Sequence, residues 1–219
     1  MKKENPIEAL IAQGEHQQLD FKFEVSDSKK IARTLSAFAN TDGGRLLIGV
    51  KDNGNIAGVR SEEEFYMIEA ASNMYTKPSV PFKATRWNIN GKTVLEIYIA
   101  QSDKKPHTAP DKDDKYKAYI RVEDENMLAN EVILLSWKKK DRTDGLLLPL
   151  TRPVEKLLNY LDSHKYINIR QFCRIAHIRY YAARNILSDL IAINTIKYII
   201  VDKQIVYTKN PGYNLNFTR

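Results

Sequence analysis

Three consecutive segments of the chain space their apolar residues on three different periods, and few architectures accept that order. In QQLDFKFEV (residues 17–25), Leu19, Phe21, Phe23 and Val25 alternate with Asp20, Lys22 and Glu24, the period of a strand with one apolar and one polar face. From Asp27 or Ser28, either of which can cap a helix, Ile31, Leu35, Phe38 and Ala39 recur at helical spacing until Asn40-Thr41-Asp42-Gly43-Gly44 stops it. RLLIGV (residues 45–50) then reads as a buried strand, Asp52-Asn53-Gly54-Asn55 as a tight turn and IAGV as the hairpin return.

The same reading extends in both directions. Asn5-Pro6-Ile7-Glu8 has the cap, proline and acid of a helix start, with Gly14 as its stop. Ser61 and Glu64 form a capping box for a helix to about Tyr75, ended by Pro78 and Pro81. FKATRWNI and KTVLEIYIA flank Asn90-Gly91, a strong hairpin signal. A polar loop over 101–115 leads to the strand YKAYIRV, and Asn130 caps a helix that ends near WKKK. The expected fold of this region is α+β, a mostly antiparallel sheet with packed helices.

Beyond KKKDRTDG (residues 138–145) the pattern changes. VEKLLNYLDSHK, NIRQFCRIAHI and RYYAARNILSDLIAIN are three helical segments, followed by IKYIIVD and QIVYTKN as a hairpin around Lys203. Three helices and a two-stranded wing are the order of a winged helix-turn-helix. The expected division is therefore a first domain over 1–140, a linker over 141–152 and a winged-helix domain over 153–219.

Charge follows the same boundary. Residues 1–150 hold 23 Lys/Arg against 23 Asp/Glu, whereas 151–219 hold 11 against 4, so the whole net charge of +7 lies in the last third. Such segregation points to an anionic partner for the second domain. On its third helix Ala183, Ile186, Leu187 and Leu190 share one face; Tyr181, Arg184, Asn185 and Ser188 share the other, with Arg179 at the start. Arginine pairs with guanine, asparagine with adenine, and tyrosine or serine with phosphate oxygens. Lys197, Lys203 and Lys209 in or near the wing are placed to reach the backbone, so all eight residues are candidate nucleic-acid contacts.

A single cysteine, Cys173, excludes an intramolecular disulfide and agrees with a reducing compartment. No apolar run approaches the roughly 20 residues of a bilayer crossing, and MKKENPIEALIAQG lacks a secretory signal. A cytoplasmic, membrane-free protein is expected. No G-x-x-x-x-G-K-[ST] loop supports ATP hydrolysis, and Gly43-Gly44 is read as a helix stop needing positive φ. The four histidines show no metal spacing.

GEHQQLDFKFE, LSAFANTDGGRLLIGVKDNGNIAGV and YIRVEDENMLAN together resemble the Schlafen AlbA-like DNA-binding domain family, over roughly residues 7–136. In bacteria such domains commonly precede a winged helix in proteins labelled transcriptional regulators. In animal Schlafen proteins the fold forms an RNA-cleaving core whose acids follow a Glu-x4-Glu spacing plus an Asp after the "GV" strand. The matching positions here are Glu15, Asp20 and Asp52. The resemblance thus implies a three-carboxylate site for Mg²⁺ or Mn²⁺, with Lys22 on a substrate phosphate. The second acid is Asp where the pattern has Glu, and one cysteine cannot supply the animal proteins' Cys/His zinc site.

The leading expectation is a nucleic-acid-binding protein, DNA ahead of RNA, acting as a transcriptional regulator. Its rivals are a divalent-metal-dependent endoribonuclease and a winged-helix protein-interaction adaptor. A homodimer would suit an operator-binding winged helix, although no heptad argues for one.

Overall fold

A computed structural model describes residues 6–140 and 149–211, and the chain divides into two units between Ala129 and Asn130. The first unit runs α1 (Pro6–Ile11), β1 (Leu19–Lys22), α2 (Ser28–Asn40), β2 (Gly44–Ile48), α3 (Glu63–Tyr75), β3 (Lys83–Ile89), β4 (Lys92–Ile99), β5 (Thr108–Pro110), β6 (Tyr116–Val122) and β7 (Glu125–Leu128). The second runs α4 (Glu131–Lys140), α5 (Arg152–Ser163), α6 (Ile169–Ala176), α7 (Tyr180–Ala192), β8 (Ile196–Val201) and β9 (Gln204–Lys209). The architecture is mixed α+β with antiparallel-rich sheets, as expected. Most of the anticipated 141–152 linker, residues 141–148, lies outside the described residues.

In the first unit α2 is the central element. Asp27 caps it, accepting from the backbone N–H groups of Lys29 (2.8 Å) and Lys30 (3.3 Å). Nine of its thirteen residues are buried, because elements pack around it rather than on one side: α3, β5 and β6 all touch it. Leu35, Phe38, Leu46, Ile48, Ile97 and Ile99 share its core cluster. One sheet has the order β1-β2-β4-β3, a second the order β5-β6-β7. β1 pairs with β2 in parallel, Asp20 opposite Leu46, since the chain between them crosses over through α2. The other strand pairs of the unit are antiparallel. The Asn90-Gly91 turn has both φ values positive (51° and 80°), the two-residue geometry that the dipeptide favours.

Three local expectations change. IAGV forms no strand; it is held to the preceding segment by the bridge between Val50 and Ile56 and by the Ala57 and Gly58 N–H groups, which donate to the Gly49 carbonyl at 2.8 and 2.9 Å. The loop over 101–115 contains β5, held to β6 with Pro110 opposite Tyr116. Gly43 has φ of +70°, the predicted helix stop, but Gly44 is constrained by space: a Cβ there would lie 2.5 Å from the Phe38 ring.

Asn40 ends α2 as a buried cross-link. Its amide donates to the carbonyls of His107 and Tyr119, both at 2.8 Å, and its Oδ1 accepts from the His107 N–H at 2.8 Å. The His107 ring is buried as well: Nδ1 donates to the Pro78 carbonyl (2.9 Å), which leaves Nε2 to accept from the Ser102 hydroxyl (2.8 Å). Burial pushes the imidazole below its ordinary pKa, the Pro78 carbonyl opposes that, and nearby Lys105 adds to it.

The second unit packs Leu157, Leu161, Phe172, Leu187 and Leu190 into its own core with Tyr207 of β9. Asn168 caps α6 in a reciprocal capping box with Gln171. The β8–β9 hairpin turns at Asp202-Lys203, both at positive φ (51° and 58°). The helix expected to close the first domain, α4, instead packs against α7 of the second unit. Its Val132 joins that unit's core, and Asn130 donates to the Tyr207 hydroxyl at 3.1 Å. Burial raises the phenol of Tyr207 to about 12. Among the described residues, no helix is long and apolar enough to cross a membrane.

A neutral buried imidazole loses its advantage on acidification. The unfolded chain takes up the proton first, so this contribution is full above about pH 6.5 and is lost as the pH falls toward the lower folded value. The melting temperature of the wild type should therefore drop more steeply below that pH than that of His107→Gln; parallel profiles would refute the assignment.

Candidate functional site

Glu15 and Asp20, five positions apart in sequence, do come together, because the turn before β1 brings the Glu15 side chain back over the strand. Glu15 Oε1 accepts from the Phe21 N–H at 2.8 Å. Its carboxyl is pushed up, first by burial and also by the Asp20 carboxylate beside it, against the lowering effect of the Phe21 N–H and of Lys22.

Asp20 is only 3% exposed, and both of its oxygens are taken by cations of the chain itself. Arg121 Nη2 donates to Oδ1 at 3.0 Å and Lys22 Nζ to Oδ2 at 2.9 Å. Arg121 is equally buried. Its Nη1 donates to Asn126 Oδ1 (3.2 Å), Asn126 Nδ2 to the Thr34 hydroxyl (2.9 Å), and its guanidinium lies 5.1 Å from the Phe38 ring centroid. Lys22 also donates to the Phe21 carbonyl at 2.6 Å. A network therefore runs from β1 through β6 and β7 to α2.

Asp52 takes no part in it. It sits exposed in the turn before Asn53-Gly54, the place of an ordinary turn-former. Among the described residues no group of three His, Cys, Asp or Glu side chains is placed to hold a metal ion. A divalent cation would have to compete with partners already in place: the Asp20 oxygens carry an ammonium and a guanidinium, and Glu15 Oε1 is bound to the Phe21 N–H. Beside the network lies an open groove of about 610 Å³, lined by Lys22, Lys30 and Arg33 but also by Glu24, Asp27 and Glu125. It presents both signs of charge.

In the second unit the predicted contact face of α7 is partly used up. Lys139 of α4 donates to the Asn185 carbonyl (3.1 Å) and the Ser188 hydroxyl (2.8 Å), and pairs with Asp189 at 2.6 Å. Ser188, expected to be exposed, is completely buried, because α4 covers the side of the helix on which it lies. Arg184 pairs with Glu131 at 3.0 Å and stacks on the Tyr181 ring at 4.8 Å. Lys209 is bonded to Asp162. Arg179, Lys197 and Lys203 are exposed, and Tyr181 is 66% exposed. Sequence patterning missed Arg170, Arg174 and Tyr180, which are exposed on α6 and at the start of α7; helical spacing counted from α6 was the signal that could have found them.

Residues 15–130, more than half of the chain, match the model of the Schlafen AlbA_2 family, and the chain belongs to that family. Among solved structures it is similar to the DIP2311 protein from Corynebacterium diphtheriae, at 20% identity and a TM-score of 0.46. The alignment covers 61% of this chain and 32% of that one, so this chain spans about a third of that protein's length. It is also similar to the N-terminal domain of a protein from Nitrosomonas europaea described as related to the ATP-dependent DNA helicase RecG. There the identity is 18%, the TM-score 0.36, and the coverage 69% of this chain and 98% of that one. No curated protein matches the chain.

A cation that bound the native state would raise its melting temperature in proportion to ln(1 + [L]/Kd). Excess Mn²⁺ should leave the melting temperature equal to that in chelator; a rise that disappears in Glu15→Gln would show that these carboxylates accept metal after all.

Proposed function

We propose that this is a nucleic-acid-binding protein that holds its ligand through the second unit and does not hydrolyse it. The observation that carries this reading is the segregation of charge. Divided at Ala129/Asn130, the first unit has 19 Lys/Arg against 20 Asp/Glu and the second 15 against 7, balances of −1 and +8. A compact unit of such charge attracts a phosphate backbone and releases its counterions on binding. Helices α5, α6 and α7 followed by the β8–β9 hairpin have the order of a winged helix, and exposed Arg170, Arg174, Arg179, Lys197 and Lys203 supply cations around it. Family membership supports the same class, since the AlbA-like resemblance implies DNA binding. DNA stands ahead of RNA, and a regulatory role in an intracellular setting fits the pairing of an AlbA-like domain with a winged helix.

Hydrolysis at the Glu15–Asp20 pair is disfavoured by the same geometry that brings the pair together. A carboxylate whose two oxygens each carry a cation of the chain, Arg121 and Lys22, is held in place and partly neutralised, which makes it a weaker metal ligand and a weaker base.

Binding of the full chain to labelled DNA should weaken steeply as salt is raised, with a log–log slope near −0.9 per phosphate contacted on a duplex. Arg179→Ala should weaken binding further and reduce that slope by about one. Binding indifferent to both salt and Arg179→Ala would refute the proposal.

A further inference from the structure

Given nucleic-acid binding by the second unit, on which this inference rests, α7 is badly placed to read a duplex. A recognition helix reads base edges with side chains along the face it lays in the major groove. Here Ser188 is buried, Lys139 is bonded to both Ser188 and the Asn185 carbonyl, and Arg184 is committed to Glu131. What remains exposed is concentrated at the turn between α6 and α7: Arg174, His177, Arg179, Tyr180 and Tyr181. Two of these are aromatic rings, 51% and 66% exposed. Exposed tyrosines beside arginines are the equipment for stacking on base faces, which a continuous duplex hides.

The turn is also rigid enough to present them. His177 adopts the left-handed conformation (φ 54°, ψ 46°), and the Ile178 N–H donates to the Cys173 carbonyl at 3.1 Å, closing the end of α6. Ile178 packs against the core of the unit. Behind the Tyr181 ring the Arg184 guanidinium lies 4.8 Å from the centroid, and Glu131 holds that guanidinium in place. One face of the ring is thus backed by a fixed cation while most of the side chain stays open to solvent. Among the described residues neither Arg174 nor Arg179 takes a carboxylate partner, which leaves both guanidinium groups for flanking phosphates.

We infer that the α6–α7 turn is a stacking platform for unpaired bases, so that the ligand of the second unit is single-stranded or locally melted nucleic acid. Tyr181 stacks on one base with Arg184 behind it, Tyr180 offers a second ring, and Arg174 and Arg179 hold the backbone on either side. Recognition of this kind tolerates many sequences, because every base has a π face.

The test is fluorescence anisotropy of the full chain with a mixed-sequence single-stranded DNA oligonucleotide and with its blunt duplex, at one salt concentration. The strand should bind more tightly than the duplex. Tyr181→Ala should weaken strand binding about fivefold or more, while Tyr181→Phe, which keeps the ring, should bind like the wild type. Duplex binding that equals or exceeds strand binding and ignores Tyr181→Ala would overturn the platform but leave nucleic-acid binding intact. Failure to bind either ligand would overturn both.

Discussion

Everything distinctive in the first unit is organised by one buried ion pair, Asp20 with Arg121. Taking two charges out of water is costly, and the cost is offset only when their remaining hydrogen-bonding capacity is also met. Here it largely is. Asp20 receives Arg121 on one oxygen and Lys22 on the other, and Arg121 passes through Asn126 to Thr34 of α2. Within this network Arg121 Nε lacks a hydrogen-bond partner, and the guanidinium lies over the Phe38 ring. The pair therefore joins β1, in one sheet, to β6, in the other, across the helix between them.

That architecture decides how the acidic cluster is to be understood. The resemblance to RNA-cleaving proteins suggests a metal, yet the Asp20 carboxylate that would help to hold it already carries an ammonium and a guanidinium from the chain itself. The two carboxylates are brought together within a hydrogen-bonded network, and burial, with the Asp20 carboxylate beside it, pushes the Glu15 carboxyl up. The second unit shows the same economy. Lys139 and Glu131 of α4 pair with or cover Arg184, Ser188 and Asp189 of α7, so the most accessible aromatic rings are those at the α6–α7 turn, and the accessible cations include Arg174 and Arg179 there together with Arg170, Lys197 and Lys203.

Much of the fold was legible in the sequence, because local signals and tertiary packing agree there. Alternation in LDFKF marks β1, Asp27 caps α2, Asn90-Gly91 turns β3 into β4, and the wing closes around Lys203. What could not be read depends on contacts distant along the chain. An arginine in YKAYIRV and an aspartate in LDFKF each sit in an apolar run, but nothing local says that they meet over a hundred residues apart. Asn40 has the spelling of a helix end and the role of a buried cross-link to His107 and Tyr119. Ser188 falls on the polar side of α7, and its burial depends on α4, whose packing partner lies some fifty residues further on. Only the resemblance groups Asp52 with Glu15 and Asp20, and the fold leaves it exposed in its turn.

The claim on which the rest depends is that Asp20 exists for Arg121. A double-mutant cycle in denaturant unfolding, with Asp20→Asn, Arg121→Met and the pair together, measures it directly. Breaking a buried pair from one side leaves an uncompensated charge and costs about 3–5 kcal/mol. Each single variant should lose on that order, and the double variant far less than their sum. Additive losses, or an Asp20→Asn variant as stable as the wild type, would show that the carboxylate is not held there for the arginine and would reopen the case for a site.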